Sequence, residues 1–294
     1  TGKVPLTTLK LSEELVKISP KSLTKVLYAN SGSESNDTAI KMAWYYQNAL
    51  GRTKKKKIIS RYRGYHGVTI MSGSLTGMDY AHKGFDMPRD FVVHTDSPHY
   101  YKDSLSQESS SEFVNRLLKN LDNLIIKEGA ENIAAMILEP IQGAGGVIIP
   151  PDNYLKGVQK LLKKNAILLI VDEVICGFGR TGNMFGCDTF QIKPDMMVIA
   201  KGLSSGYVPI SALLINEEIY ETISDFSSIN NVFGHGYTYS GHPVAAAVAL
   251  ETIKIFKDEN IIGHVKEISE KFNTKMEQLN VHSIVGNARS IGLI

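Results

Sequence analysis

The sequence predicts an α/β protein in which a mostly parallel β-sheet is covered by helices on both faces. Two observations carry that expectation. The apolar runs Ile133–Leu138, Ala166–Val171 and Met196–Ala200 are too continuous for strands with one wet face, so they read as strands buried on both. Amphipathic helical stretches alternate with them, as in a sheet built from crossover units.

Taken in order, Leu6–Ile18 places Leu6, Leu9, Leu11, Leu15 and Ile18 at near-helical spacing, and Pro20 stops it. A short strand, Lys25–Ala29, runs into the polar turn Ser31–Glu34. The helix that follows carries Ala39, Met42, Ala43, Tyr46 and Leu50 on one face, with Gly51 past its end. Lys54–Lys57 reads as a solvated approach to the strand Ile58-Ile59. Residues 71–115, rich in Gly, Ser, His, Pro and Asp, read as long loops with an exposed turn at Ser104–Ser111. Helices at Glu112–Lys127 and Tyr154–Lys164 precede the first and second apolar runs, and Gly143–Gly146 lies between. Ala245–Leu279 is helical with an interruption near Asn260-Ile261, and Val285–Ile294 reads as a strand-like stub.

Composition removes several function classes. With 32 basic and 30 acidic residues the formal charge is +2, which gives no electrostatic footprint for nucleic acid. Two cysteines, Cys176 and Cys187, form no disulfide framework and point to a reducing, cytoplasmic setting. Apolar stretches such as Val244–Leu250 fall far short of the roughly 20 residues of a membrane span. No histidine has metal-ligand spacing, His94 and His99 included, so no metal site is expected. The start, Thr1 to Pro5, lacks a signal-peptide pattern and an initiator Met, and reads as a trimmed or incomplete chain.

The three apolar runs end in ionisable residues: Glu139 after Leu138, Asp172 after Val171, and Lys201 after Ala200. In a parallel sheet these ends share one rim, where ligands bind. A lysine there is costly unless paired or used, and a deprotonated lysine is a nucleophile for carbonyl carbon. A buried carboxylate can keep a pyridine nitrogen protonated. The turn Ser31-Gly32-Ser33-Glu34 opens a helix whose free N–H groups suit a phosphate, although by itself it is also an ordinary capping box. Together these features describe a site for pyridoxal 5′-phosphate (PLP). Gly177–Gly182 (GFGRTG) fits a dinucleotide pattern after a strand, but Asn183-Met184 does not open a helix, so that reading is set aside.

The segments LLIVDEV (168–174), GFGRTG (177–182) and DMMVIAKG (195–202) resemble the signature of class III, fold-type I, PLP-dependent aminotransferases. The resemblance extends through SGSESND (31–37), YHG (65–67), LEPIQGAGG (138–146) and GYTYSGHP (236–243), nearly the whole chain. It implies that Lys201 carries PLP as an internal aldimine, a Schiff base, and shuttles the substrate proton. It implies that Asp172 pairs with the pyridine nitrogen, and that Ser31, Gly32 and Ser33 bind phosphate. Val174 and Tyr65 would pack on the two ring faces with His66 beside them, a histidine read as structural. Glu139 would lie near the ring hydroxyl, and Tyr62 would form a pocket wall. Thr238 would reach the phosphate of a neighbouring subunit, making a homodimer or a dimer of dimers.

Residues 91–101 (FVVHTDSPHYY) and the LEPIQGAGG segment resemble the subgroup that moves amino groups from amines or ω-amino acids to pyruvate by a ping-pong mechanism. The same class contains 4-aminobutyrate and ornithine aminotransferases, a PLP aminomutase and a decarboxylase, and a catalytically silent subunit retaining the fold is a further alternative. The resemblance also divides the chain into a PLP-binding large domain, 1–250, and the connecting helix with the beginning of a small domain, 251–294. The arginine that binds substrate carboxylates in this class would lie past residue 294.

Overall fold

A computed structural model of the chain describes residues 3–229 and 232–294. The strands are β1 (Leu23–Ala29), β2 (Lys57–Arg61), β3 (Val92–Thr95), β4 (Ile133–Leu138), β5 (Leu168–Asp172), β6 (Met196–Ile199) and β7 (Ser211–Asn216). The helices are α1 (Leu6–Ile18), α2 (Gly32–Ala49), α3 (Ile70–Leu75), α4 (Tyr100–Asp103), α5 (Ser110–Glu128), α6 (Tyr154–Lys164), α7 (Gly186–Phe190), α8 (Glu217–Ile229), α9 (Pro243–Asp258) and α10 (Ile261–Gln278).

The strands form one sheet in the order β1-β7-β6-β5-β4-β2-β3. Neighbours from β6 to β3 are parallel, and β7 runs against both β6 and β1. The carboxyl ends of β1, β2, β4, β5 and β6 therefore share one rim with the start of β7.

Every residue of β4, β5 and β6 is buried, as the continuous apolar runs require. Their side chains alternate between two cores. Met136, Leu169, Val171, Met197 and Ile199 face one that includes Leu11 and Leu15 of α1, Leu117 of α5, Val158 of α6 and Ala249 of α9. Ala135, Ile137, Ile170, Met196 and Val198 face the other, with Ala39 and Ala43 of α2 and Ile219 of α8. The period of two sends alternate side chains to opposite helical layers.

Three sequence expectations change. Lys55 is buried, its Nζ donating to Ala130 O and Ile133 O at 2.8 Å each. Burial pushes that amine down to about 8. Lys56 bonds Asn48 and Lys57 pairs with Glu128, so Lys54–Lys57 is a tied segment and not simply a solvated one. Residues 71–115 are not all loop: they include most of α3, the edge strand β3 and the short α4. The helical stretch from α9 returns to the core at Thr252 and Ile253 and breaks at Asn260 (φ 47°), where the sequence placed the interruption. Finally, 285–294 forms turns and extended chain with no strand partner among the described residues. It docks instead through Leu293 N, which donates to Arg180 O at 2.9 Å.

One buried acid pins the connection after β5. Glu173 is 0% exposed and accepts from Gly186 N (2.8 Å) and Cys187 N (2.6 Å) at the start of α7. Burial pushes its carboxyl up to about 7 against the opposing pull of those N–H groups. The fold thus favours the proton, and the stability associated with it is full below about 4.5 and lost as pH rises through about 7. Urea midpoints between pH 4.5 and 8 should show the parent losing about 3 kcal/mol relative to Glu173→Gln. Parallel curves for the two proteins would contradict it.

Candidate functional site

The shared rim encloses a cavity of about 280 Å³, just below the range of roughly 300–1,000 Å³ usual for small-ligand pockets. Its lining includes Ser31, Gly32, Ser33, Tyr65, His66, Glu139, Asp172, Val174 and Lys201. These residues span 171 positions of sequence, and the sheet brings them together because β1, β4, β5 and β6 all end there. Among the described residues no group of three or more His, Cys, Asp or Glu is arranged to hold a metal. Nor is any helix long and apolar enough to cross a membrane.

Asp172, the last residue of β5, is 3% exposed. Its Oδ2 accepts from Asn36 Nδ2 at 2.8 Å and lies 2.9 Å from His66 Nδ1. Its Oδ1 accepts from Val174 N at 3.1 Å. Three donors offset the cost of taking a carboxylate out of water. His66 is itself held, with its N–H donating to Thr76 Oγ1 and its carbonyl accepting from Asn36 Nδ2 at 2.6 Å.

At the start of α2, Ser31 Oγ accepts from Glu34 N at 3.2 Å, one half of a capping box. Glu34 reaches one residue further back than that motif requires, accepting from Asn30 N and Asn30 Nδ2. The Gly32 and Ser33 amides on the cavity lining are left with no intrahelical acceptor, the arrangement that receives an anion. A Cβ on Gly32 would sit 3.0 Å from Val174 Cγ2, so the glycine keeps this cradle open. Ser33 Oγ accepts from Val68 N, tying the 65–68 loop to the helix. Asp37, one turn on, accepts from Thr69 Oγ1 and Ser72 N and anchors α3.

Lys201 follows Ala200, the residue just past the end of β6, with φ +41°, a left-handed conformation that is costly for a lysine and typical of functional turns. Its side chain is exposed at the cavity mouth; the apolar burial suggested by the preceding run stops at Ala200. The glycine-rich loop 177–182 turns through Phe178 (φ 56°) and Gly179 (φ 88°) without opening a helix. Phe178 packs so closely on Gly202 that a Cβ there would lie 2.8 Å away. That loop braces the lysine turn.

Glu139 is buried, with Oε1 accepting from Tyr65 N and Oε2 from Gly143 N, each at 3.0 Å. Burial raises its pKa, while His66 and Arg61 pull it down and Asp172 adds to the rise. Arg61, fully buried at the end of β2, donates through Nη2 to the Glu139 carbonyl.

Two expected residues stand elsewhere. Tyr62 is 54% exposed and stacks on His94 at 5.4 Å, outside the cavity lining, so the structure does not make it a wall. Thr238 is exposed and lines no part of this cavity. Its segment is fastened beside α2 by Tyr237 Oη, which donates to Glu34 O at 3.1 Å. The cavity also takes in Asn30, Asn36, Ile175, Ser204 and Val208–Ile210, which the sequence reading passed over. For Asn36 a signal existed, since it lies four residues from Gly32 and shares its helix face.

Residues 4–294 match the family described as Aminotransferase class-III. Gamma aminobutyrate transaminase 3, chloroplastic, of Solanum lycopersicum is 51% identical over 287 residues, 97% of this chain and 55% of that protein. Probable gamma-aminobutyrate transaminase 3, mitochondrial, of Oryza sativa subsp. indica is also 51% identical, over 97% of this chain and 56% of that protein. The chain therefore spans little more than half the length of these curated relatives. Among solved structures, the omega transaminase from Pseudomonas jessenii in complex with PMP superposes with a TM-score of 0.98 at 48% identity, covering 100% of this chain and 65% of that one.

The glycine at the loop's inner edge gives a direct test. Gly67 has φ +134°, and a Cβ there would lie 2.4 Å from both Ser33 Oγ and Ser72 Oγ; Gly51 (φ +71°) has nothing within 4 Å. Gly51→Ala should cost about 1 kcal/mol from backbone strain alone, and Gly67→Ala about 1–3 kcal/mol more from overpacking. Urea denaturation of both variants reads the difference, and equal losses would contradict the packing described.

Proposed function

The chain belongs to the class-III aminotransferases, a PLP-dependent family with the fold-type I architecture, and from that premise we propose that the protein moves an amino group from an amine or ω-amino acid to an oxo acid, with pyruvate as acceptor. The observation that carries this reading is the convergence of Lys201, Asp172 and the open helix start at Gly32-Ser33 on one cavity. The residues present fit PLP. Gly32 preserves space that a side chain would fill, and the two amides beside it suit a phosphate. Asp172 offers a buried carboxylate that can hold a ring nitrogen's proton.

When bound, PLP supplies an electron sink for the carbanion formed at the carbon that carries the amino group. Lys201 Nζ would hold the cofactor through its carbonyl carbon and, when free, would be the base that moves the proton of that substrate carbon. Asp172 Oδ1 would hold the proton on the ring nitrogen. Gly32 and Ser33 N–H groups, with Ser31 beside them, would hold the phosphate, while Val174 and Tyr65 would confine the ring. Glu139, on the same cavity lining, would lie near the ring hydroxyl and help switch between substrates. Donor and acceptor occupy the site in turn, which gives ping-pong kinetics.

The tomato and rice relatives are named for gamma-aminobutyrate and the Pseudomonas structure as an omega transaminase, and these names support an ω-amine donor. We further propose a homodimer in which Thr238, exposed and not part of its own cavity lining, serves the partner's phosphate site. Residues 251–294 would then lead from the large domain into a smaller one. The cytoplasmic location expected from the cysteines finds no support in the plant relatives, which are named chloroplastic and mitochondrial.

In the full-length protein, Lys201→Ala should lower transamination by about a hundredfold to ten-thousandfold while PLP still binds. A panel of 4-aminobutyrate and simple primary amines, each with pyruvate and 2-oxoglutarate, should show turnover with pyruvate. Exclusive use of 2-oxoglutarate would overturn the acceptor, and near-parental turnover by Lys201→Ala would overturn the mechanism.

A further inference from the structure

We propose that Asn36 is a positioning residue: it fixes the Asp172 carboxylate so that a single lone pair, on Oδ1, is left for the ring nitrogen of the cofactor. The inference rests on the PLP reading above and extends it to a residue that neither the motifs nor the relatives' names single out. Asn36 is 1% exposed, lines the cavity and lies one turn beyond Gly32 on the same face of α2. Its Nδ2 donates both to Asp172 Oδ2 (2.8 Å) and to His66 O (2.6 Å). Those two acceptors set the amide's orientation, because the reverse flip would place Oδ1 against two oxygens.

An ionised carboxylate has about four lone-pair sites. Asn36 Nδ2 and His66 Nδ1 fill both on Oδ2, and Val174 N takes one on Oδ1. The remaining site is on Oδ1. Without Asn36, Oδ2 would also have a free lone pair, the carboxylate could rotate, and one of its three donors would be lost. A helix interior gives no local reason for the choice, since alanine favours helix more than asparagine does. The amide instead leaves its own Oδ1 buried with no partner among the described residues, which marks a residue retained for what its Nδ2 does.

The test uses the full-length protein loaded with PLP labelled with ¹⁵N at the ring nitrogen. Asn36→Ala should raise the PLP dissociation constant about ten- to hundredfold, the span expected for a hydrogen bond to a charged group. It should also move the ¹⁵N resonance toward the unprotonated form as pH rises from 6 to 9, a range over which the parent signal stays protonated. Asn36→Leu removes the donor and keeps a side chain of similar size, so it serves if the alanine variant does not fold, and it should move the resonance the same way. In an Asp172→Asn background, Asn36→Ala should change PLP affinity by less than about twofold, because the contact it served is gone. An unchanged resonance in both Asn36 variants, or the same loss of affinity in both backgrounds, would overturn the proposal while leaving the PLP reading intact. Failure of the unmodified protein to bind PLP would overturn both.

Discussion

Asp172 puts a carboxyl group on the lining of a cavity with 3% of its surface exposed, and most of the site follows from keeping it there. A carboxylate in that position needs donors, and β5, itself buried on both faces, supplies only the Val174 N–H just past its end. The other two donors must come from outside the strand. Asn36 brings in α2, and with it the helix start at Gly32 and Ser33. His66 brings in the loop after β2, and with it Tyr65 and the contact from Tyr65 N to Glu139. One electrostatic requirement thus aligns the anion cradle, the aromatic wall and the second carboxylate.

The sheet makes this alignment possible. β4, β5 and β6 deliver Glu139, Asp172 and Lys201 to one rim because they are parallel neighbours. The antiparallel β7 starts at that rim, where Ser211 Oγ donates to Ser31 O and lies 2.7 Å from Ser35 Oγ. The single reversed strand thereby clamps the first turn of α2. On the far side of the cavity, Phe178 presses on Gly202 and holds the turn in which Lys201 adopts its left-handed backbone. Arg289 ties the glycine loop after Glu139, donating through Nε to Val147 O at 2.6 Å.

The parts legible in the sequence were those specified locally. Continuous apolar runs ending in Glu139, Asp172 and Lys201 identified the buried strands and their rim, and the Ser31–Glu34 turn identified the start of α2. The parts that were not legible depend on distant partners. Lys55 looks solvated until the carbonyls of Ala130 and Ile133 are placed against it, some 75 and 78 residues away. β3 is four residues long and is a strand only because β2 lies beside it. Asn36 meets Asp172 across 136 residues, a pairing that no spacing rule reaches. Tyr62, three residues from Tyr65, carried a motif's proximity but points to His94 instead. The terminal segment, rich in Gly and Ser, takes its shape from Arg180 and from the loop at Gly146-Val147 instead of a strand partner.

The central claim is that Lys201, on its strained turn, is the point of attachment in a cavity organised around Asp172. Borohydride reduction of the PLP-loaded full-length protein, followed by proteolysis and peptide mass mapping, tests it most directly. The account predicts a single stable cofactor adduct on the peptide that carries Lys201. An adduct on a different lysine, with Lys201 unmodified, would contradict it.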